Sequence, residues 1–307
     1  MRQLVYPSGI AKCCWRTKNH TRIFCRTPCI CGSCHSTHKS SVWVVLVAFA
    51  FFCVWNSIQL AEASSLASYR ALYSMSLGYT SGTDAPSGLR GVMYYEFKSG
   101  CEAWTVDSKV YLHLNFTRQR QVESIRKMIT WESKDGLAYR FLLSETHDGK
   151  ITKDMRGEAT FKVKGASGLV EYIKPRAMTV ELPKGTVFPT THLVALIASS
   201  MSGENFLGTY LFDGASLDDP NMVSAVIQKR PTNDEFVAPV VKSLKEAAKW
   251  NARLAYFPIK SGKATPDFEM DVHFRQDGIV EGLVQDYNSY TIVARLEKIE
   301  VLPSGRC

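Results

Sequence analysis

The chain has 307 residues, 45% of them hydrophobic and 21% charged, and a formal net charge of +8 at pH 7. Seven of its 37 Lys and Arg, but only one of its 29 Asp and Glu, lie in residues 1–63, which leaves 30 against 28 and a net charge of +2 for the rest. The basicity therefore belongs to the N-terminus, and with no arginine-rich stripe beyond it the composition gives no footing for nucleic-acid binding.

Residues 42–55, "VWVVLVAFAFFCVW", form an apolar run of fourteen, shorter than the roughly 18 residues of a membrane-spanning helix. Basic residues from Arg2 to Lys39 precede it with no acidic residue among them, and Ala61-Glu62-Ala63 follows. A basic segment, a short apolar segment and small residues at the two positions read by a signal peptidase make a secretory signal, with cleavage between Ala63 and Ser64. An uncleaved anchor is the rival reading. The basic segment is long for a signal, which a start codon placed too far upstream would explain. The expected organisation is a leader with signal peptide over 1–63 and one exported domain over 64–307.

The leader holds Cys31-x-x-Cys34-His35, the spacing of a c-type haem attachment site. It precedes the export signal, whereas haem is attached after export, and no second ligand pair follows at zinc-finger spacing. No cofactor or metal is expected. Of nine cysteines, seven lie within the first 53 residues; beyond them only Cys101 and the last residue, Cys307, remain. Two cysteines in an oxidising compartment permit one disulfide, Cys101–Cys307.

In chain order from residue 64, alternation dominates. "YLHLNF" sets Leu112, Leu114 and Phe116 on one side. "TFKVKG" opposes Phe161 and Val163 to Lys162 and Lys164. "MDVHFR" opposes Met270, Val272 and Phe274 to Asp271, His273 and Arg275. Period two means half-buried antiparallel strand. Asp135-Gly136, Asp148-Gly149 and Asp277-Gly278 supply hairpin turns. In "SYTIVARLEKIEVL", Ile292, Ala294 and Leu296 share one parity and Ile299 and Val301 the other, which a β-bulge near Glu297-Lys298 reconciles. Two stretches break the pattern. Phe188-Pro189, a stripe through Leu193, Ile197 and Met201, and Gly203 as a stop predict a helix over 189–202. A short second helix or turn is expected over Lys242–Trp250. The fold class is mostly β: ten to fourteen antiparallel strands with one helix laid on them.

No nucleophile elbow, phosphate loop, dinucleotide fingerprint or zinc-protease motif occurs. His113 and His273 fall on the polar parity of strands, His147 beside a turn, and Asp218-Asp219 in an acidic loop. His192 falls in the first turn of the helix, where Thr190 and Thr191 are polar neighbours. Pro189, Thr190 and His192 form the candidate functional surface, and a hydrolase centred on His192 or Glu145 is the enzymatic alternative. Aromatics spread over the strands fill a core; a curved sheet crossed by a helix can also enclose an apolar groove.

"GVMYYEFKSGCEAW", "GLAYRFLLSETHDGK", "ELPKGTVFPTTHLVALIASSMSGENF" and "YLFDGASLDDP" resemble the EipB (envelope integrity protein B) family. The resemblance runs from about Leu66 to Cys307 and is most specific at Glu96-Phe97-x-x-x-Cys101-Glu102, over Leu182–His192, and at the terminal cysteine. It implies a periplasmic protein of alphaproteobacteria and a β-spiral, an open barrel-like wrap of antiparallel strands. It also implies one disulfide at Cys101 and Cys307 and a role in keeping the envelope intact, without an established enzymatic activity. The expectation is a monomeric, non-enzymatic scaffold that binds envelope proteins or a lipid-like group. The alternative is a periplasmic carrier of a lipid or lipoprotein acyl chain.

Overall fold

The computed structural model describes residues 66–117, 120–217, 220–230 and 244–303. The cleavage-site residues Ala61, Ala63 and Ser64, the leader cysteines, Asp218-Asp219 and Cys307 lie outside them. Eight strands precede a helix: β1 (Tyr69–Thr80), β2 (Pro86–Ser99), β3 (Ala103–Phe116), β4 (Gln121–Ser133), β5 (Ala138–His147), β6 (Lys150–Phe161), β7 (Gly168–Lys174) and β8 (Met178–Leu182). The two-residue β9 (Thr186–Val187) leads into the helix α1 (Pro189–Ser202). Then come β10 (Phe206–Leu211), β11 (Asn221–Lys229), β12 (Lys249–Pro258), β13 (Phe268–Arg275), β14 (Val280–Asp286) and β15 (Tyr290–Val301).

All fifteen strands belong to one sheet, ordered β8-β7-β6-β5-β4-β3-β2-β1-β15-β14-β13-β12-β11-β10-β9. Neighbours are antiparallel except β9 and β10, which run parallel. The sheet is a meander whose first and last strands pair at its centre, Tyr73 opposite Leu296 and Met75 opposite Ala294. Its two edge strands are sequence neighbours, joined by a turn in which Thr186 N–H donates to Pro183 O. The result is a nearly closed, barrel-like wrap, as the resemblance implied, with one α-helix among the described residues.

Alternation decides which faces turn inward. Tyr69, Ala71, Tyr73 and Met75 of β1, Val223, Ala225 and Ile227 of β11, and Ile292, Ala294 and Leu296 of β15 are all buried. With Leu196 and Ile197 of α1 they join one core cluster. A second cluster lies under β5–β8, where Tyr139, Phe141, Phe161 and Tyr172 meet Phe188 and Phe212. The Tyr139 and Phe188 rings stack with centroids 5.0 Å apart. Burying each such side chain contributes about 1.5–3 kcal/mol.

Helix α1 has the predicted limits. Phe188 at its N-cap is extended and offers no capping side chain, Pro189 follows, and Gly203 closes it at φ 81°, its N–H reaching Ser199 O and Ser200 O. Asp148 (φ 50°) and Gly149 (φ 75°) make the tight β5–β6 turn. The bulge also falls where the parity change put it: Leu72 pairs with Lys298 and Tyr73 with Leu296, so Glu297 is the extra residue.

Four expectations need correction. Fifteen strands form, one more than the upper expectation. No helix occupies residues 244–250, and Trp250 belongs to β12. The alternation of Trp250, Ala252 and Leu254 prevails there, with Trp250 stacked on Phe274 at 6.0 Å. β6 stops at Phe161, so Val163 is exposed in the following turn. Arg275, read as outward, is 2% exposed. The cause is a bulge: His273 pairs with Gly282 and Phe274 with Val280, which leaves Glu281 as an extra residue turned inward onto Arg275. Among the described residues no helix is long and apolar enough to cross a membrane.

Candidate functional site

Of the three residues singled out at the start of α1, Pro189 is half-buried and the other two are buried. Thr190 and His192 are 6% and 4% exposed, inside the wrap. The physical reason is Glu132. On β4, inward parity runs through Met128, Thr130 and Glu132, and Glu132 is 1% exposed. Its Oε2 accepts the Thr190 N–H at 2.7 Å; its Oε1 accepts the Thr191 N–H at 2.7 Å and the Thr191 hydroxyl at 2.6 Å. A helix start leaves orphan N–H groups and carries partial positive charge. Phe188 cannot cap it, so a carboxylate 58 positions earlier in the chain does. Burial pushes the Glu132 pKa up, and the threonine donors pull it back only in part.

His192 lies one residue further along. Its Nε2 has no hydrogen-bond partner among the described residues, and burial pushes its pKa down to about 4. It is a neutral imidazole at neutral pH. Glu145, the other candidate of the enzymatic alternative, bonds His147 at 3.1 Å. It lies six residues along β5 from Tyr139, the partner of Glu132, a span of about 20 Å. The structure therefore does not bring Glu145 to the helix start. His113 and His147 are exposed, and His273 is half-buried. Among the described residues no group of three His, Cys, Asp or Glu could hold a metal ion.

A second constellation went unread in the sequence. Glu281 receives Arg230 Nη1 at 3.1 Å, Lys249 Nζ at 2.9 Å and Arg275 Nη1 at 3.7 Å. Arg275 also donates from Nη2 to Asp277 Oδ2 at 2.8 Å and to Lys245 O at 2.7 Å. These groups tie β11, β12, β13 and β14 together beneath the sheet. The local sequence carries no signal for it, because Arg275 falls on the polar parity of β13 and only the bulge at Glu281 brings the two together.

The third is the seam where the first and last strands meet. Ser68 stands just before β1, which pairs with β2 on one side and β15 on the other. Its carbonyl accepts the Leu302 N–H at 2.8 Å, and its Oγ accepts the Ser99 N–H at 2.9 Å. The C-terminal strand and the turn carrying Cys101 thus flank one residue. Arg70 reinforces the seam outside, bridging Glu96 at 2.7 Å and Glu300 at 3.4 Å. Within, Tyr73 Oη donates to Val280 O at 2.7 Å.

None of these constellations pairs a nucleophile with a base at an open cleft; each fastens distant parts of the wrap. The comparisons with known proteins agree with this architecture. The chain is 30% identical over 250 residues to the cell envelope integrity protein EipB of Brucella abortus, spanning 80% of this chain and 88% of that one. It superposes on the crystal structure of a beta-barrel-like protein of a domain of unknown function from Brucella abortus, with TM-score 0.72 and 27% identity. That match covers 78% of this chain and 99% of the other. The EipB-like family matches residues 60–303. The chain belongs to the EipB-like family.

Proposed function

We propose that this chain is an exported, non-enzymatic protein that supports cell-envelope integrity in the periplasm. In this reading it acts as a disulfide-stabilised β scaffold for envelope proteins. The observation that carries the reading is the kinship over 88% of the cell envelope integrity protein EipB. The leader over 1–63 supports export, with cleavage between Ala63 and Ser64. The disulfide Cys101–Cys307 draws support from the seam. Residue 302 and residue 99 are both bonded to Ser68, and strands two places apart in a sheet are about 10 Å apart. The five residues after Leu302 and the two after Ser99 can close that distance.

A scaffold fits the interior better than an acyl-chain carrier. A carrier needs an apolar cavity, whereas Tyr139, Phe188 and Phe212 are fully buried against one another on the inner side. The test is deletion in the native host, with detergent and cell-wall-antibiotic sensitivity as readouts. A sensitive deletion strain whose resistance is restored by the full chain, but not by a form lacking residues 1–63, is the expected result. An unchanged deletion strain, or rescue by the leaderless form, contradicts the reading.

A further inference from the structure

The outer face of β1, β2 and β3 carries a concavity of about 630 Å³, within the range of small-ligand sites. Arg70, Tyr94, Glu96, Asp107, Lys109 and Tyr111 line it. The register puts them side by side: Arg70 opposite Glu96, Glu96 opposite Asp107, and Tyr94 opposite Lys109. Tyr94 and Tyr111 are 51% and 37% exposed, with rings edge-to-face at 6.3 Å. Neither ring lies in the core, so packing inside the wrap does not explain them. Among the lining side chains two cations face two carboxylates, as Arg70–Glu96 at 2.7 Å and Lys109–Asp107 at 3.5 Å, and the further partners of these pairs, Lys98 on Glu96 and Glu300 on Arg70, keep the balance.

That chemistry narrows the occupant. Balanced charge disfavours a phosphate or polyanion, which needs a surplus of cations. Four charged side chains in an open groove disfavour an acyl chain, whose burial they would oppose. A pyranose fits both features. Its hydroxyls accept from Arg70 and Lys109 and donate to Glu96 and Asp107, while its C–H face lies on an exposed tyrosine ring. We infer that the groove between Tyr94 and Tyr111 is a glycan-binding site that holds one or two sugar rings of an oligosaccharide. The inference goes beyond the envelope reading and stands on the groove alone.

The test is isothermal titration calorimetry of the purified chain with chitotetraose, cellotetraose and maltotetraose. At least one of the three binds, and Tyr94→Ala and Tyr111→Ala each weaken it about tenfold. Their thermal midpoints stay unchanged, because both rings are exposed. Leu169→Ser, exposed on β7 and four strands from β3, leaves affinity unaltered. No binding by any of the three up to about 10 mM, or binding indifferent to both tyrosines, overturns the assignment. So does preferential binding of anionic lipid vesicles that competes with the sugar.

Discussion

Glu132 and Thr191 are joined twice, by the backbone N–H and by the side-chain hydroxyl of Thr191, both donated to the same carboxylate oxygen at 2.7 and 2.6 Å. With Thr190 on the other oxygen, one side chain of β4 holds the first turn of α1. Removing it orphans three donors at once, one buried and two partly buried. Glu132→Ala is expected to cost about 2–4 kcal/mol, read as a fall of roughly 5–12 °C in thermal midpoint. Glu132→Gln keeps an acceptor oxygen and loses about half as much. A Glu132→Ala midpoint indistinguishable from the parent would refute the clamp.

His192 sets a pH dependence. Its pKa is about 4 in the fold against 6.5 ordinarily, so in that interval the unfolded chain binds the proton and the folded chain does not. The stability its neutral form contributes is present above pH 6.5 and lost as pH falls toward 4, at up to about 1.4 kcal/mol per pH unit. Glu132 acts in the opposite sense: its raised pKa contributes stability at low pH that is lost as pH rises through its folded value. Denaturant midpoints measured from pH 7 to 4 separate the two. His192→Leu should reduce the loss on acidification, and an unaltered slope would contradict the assignment.

Much of this was legible in the sequence, because the determinants were local. Phe188-Pro189 and Gly203 bracket α1, and the parity change between Leu296 and Ile299 announces the Glu297 bulge. What escaped depends on distant contacts. Nothing near "TWESKDG" says that Glu132 meets residue 190, although counting parity from Met128 would have turned it inward. Arg275 looks outward until the bulge at Glu281 turns a carboxylate toward it. The start of α1 read as a surface because threonine and histidine are polar; the sheet that encloses it comes from both halves of the chain.

The Glu281 network makes a different prediction. Glu281→Ala leaves Arg230, Lys249 and Arg275 without their shared carboxylate, and breaking a buried pair on one side costs about 3–5 kcal/mol. Arg140–Glu158, with side chains 60% and 42% exposed, is the contrast. Glu158→Ala should change stability by about 1 kcal/mol or less. Chemical denaturation of both variants checks the ratio; equal effects would contradict the buried network.

Gly214 has φ 71°, and a Cβ there would lie 2.5 Å from the ring of the buried Phe141. Gly149, φ 75°, has nothing within 4 Å. Gly214→Ala therefore combines backbone strain with overpacking and costs about 2–4 kcal/mol. Gly149→Ala carries backbone strain alone, about 1–2 kcal/mol. Thermal midpoints of the two variants should fall in that order, and the reverse order would contradict the packing of Phe141.

The most direct test of the central claim is native mass spectrometry of the chain purified from its host's periplasm. The account predicts a chain beginning at Ser64, two hydrogens lighter than the reduced form because Cys101 and Cys307 are joined, and carrying no lipid. That bond closes a loop of about 200 residues and, in the chain-entropy model, contributes up to about 5 kcal/mol. A mass that retains the leader, two alkylatable thiols, or a bound lipid-sized adduct would contradict it.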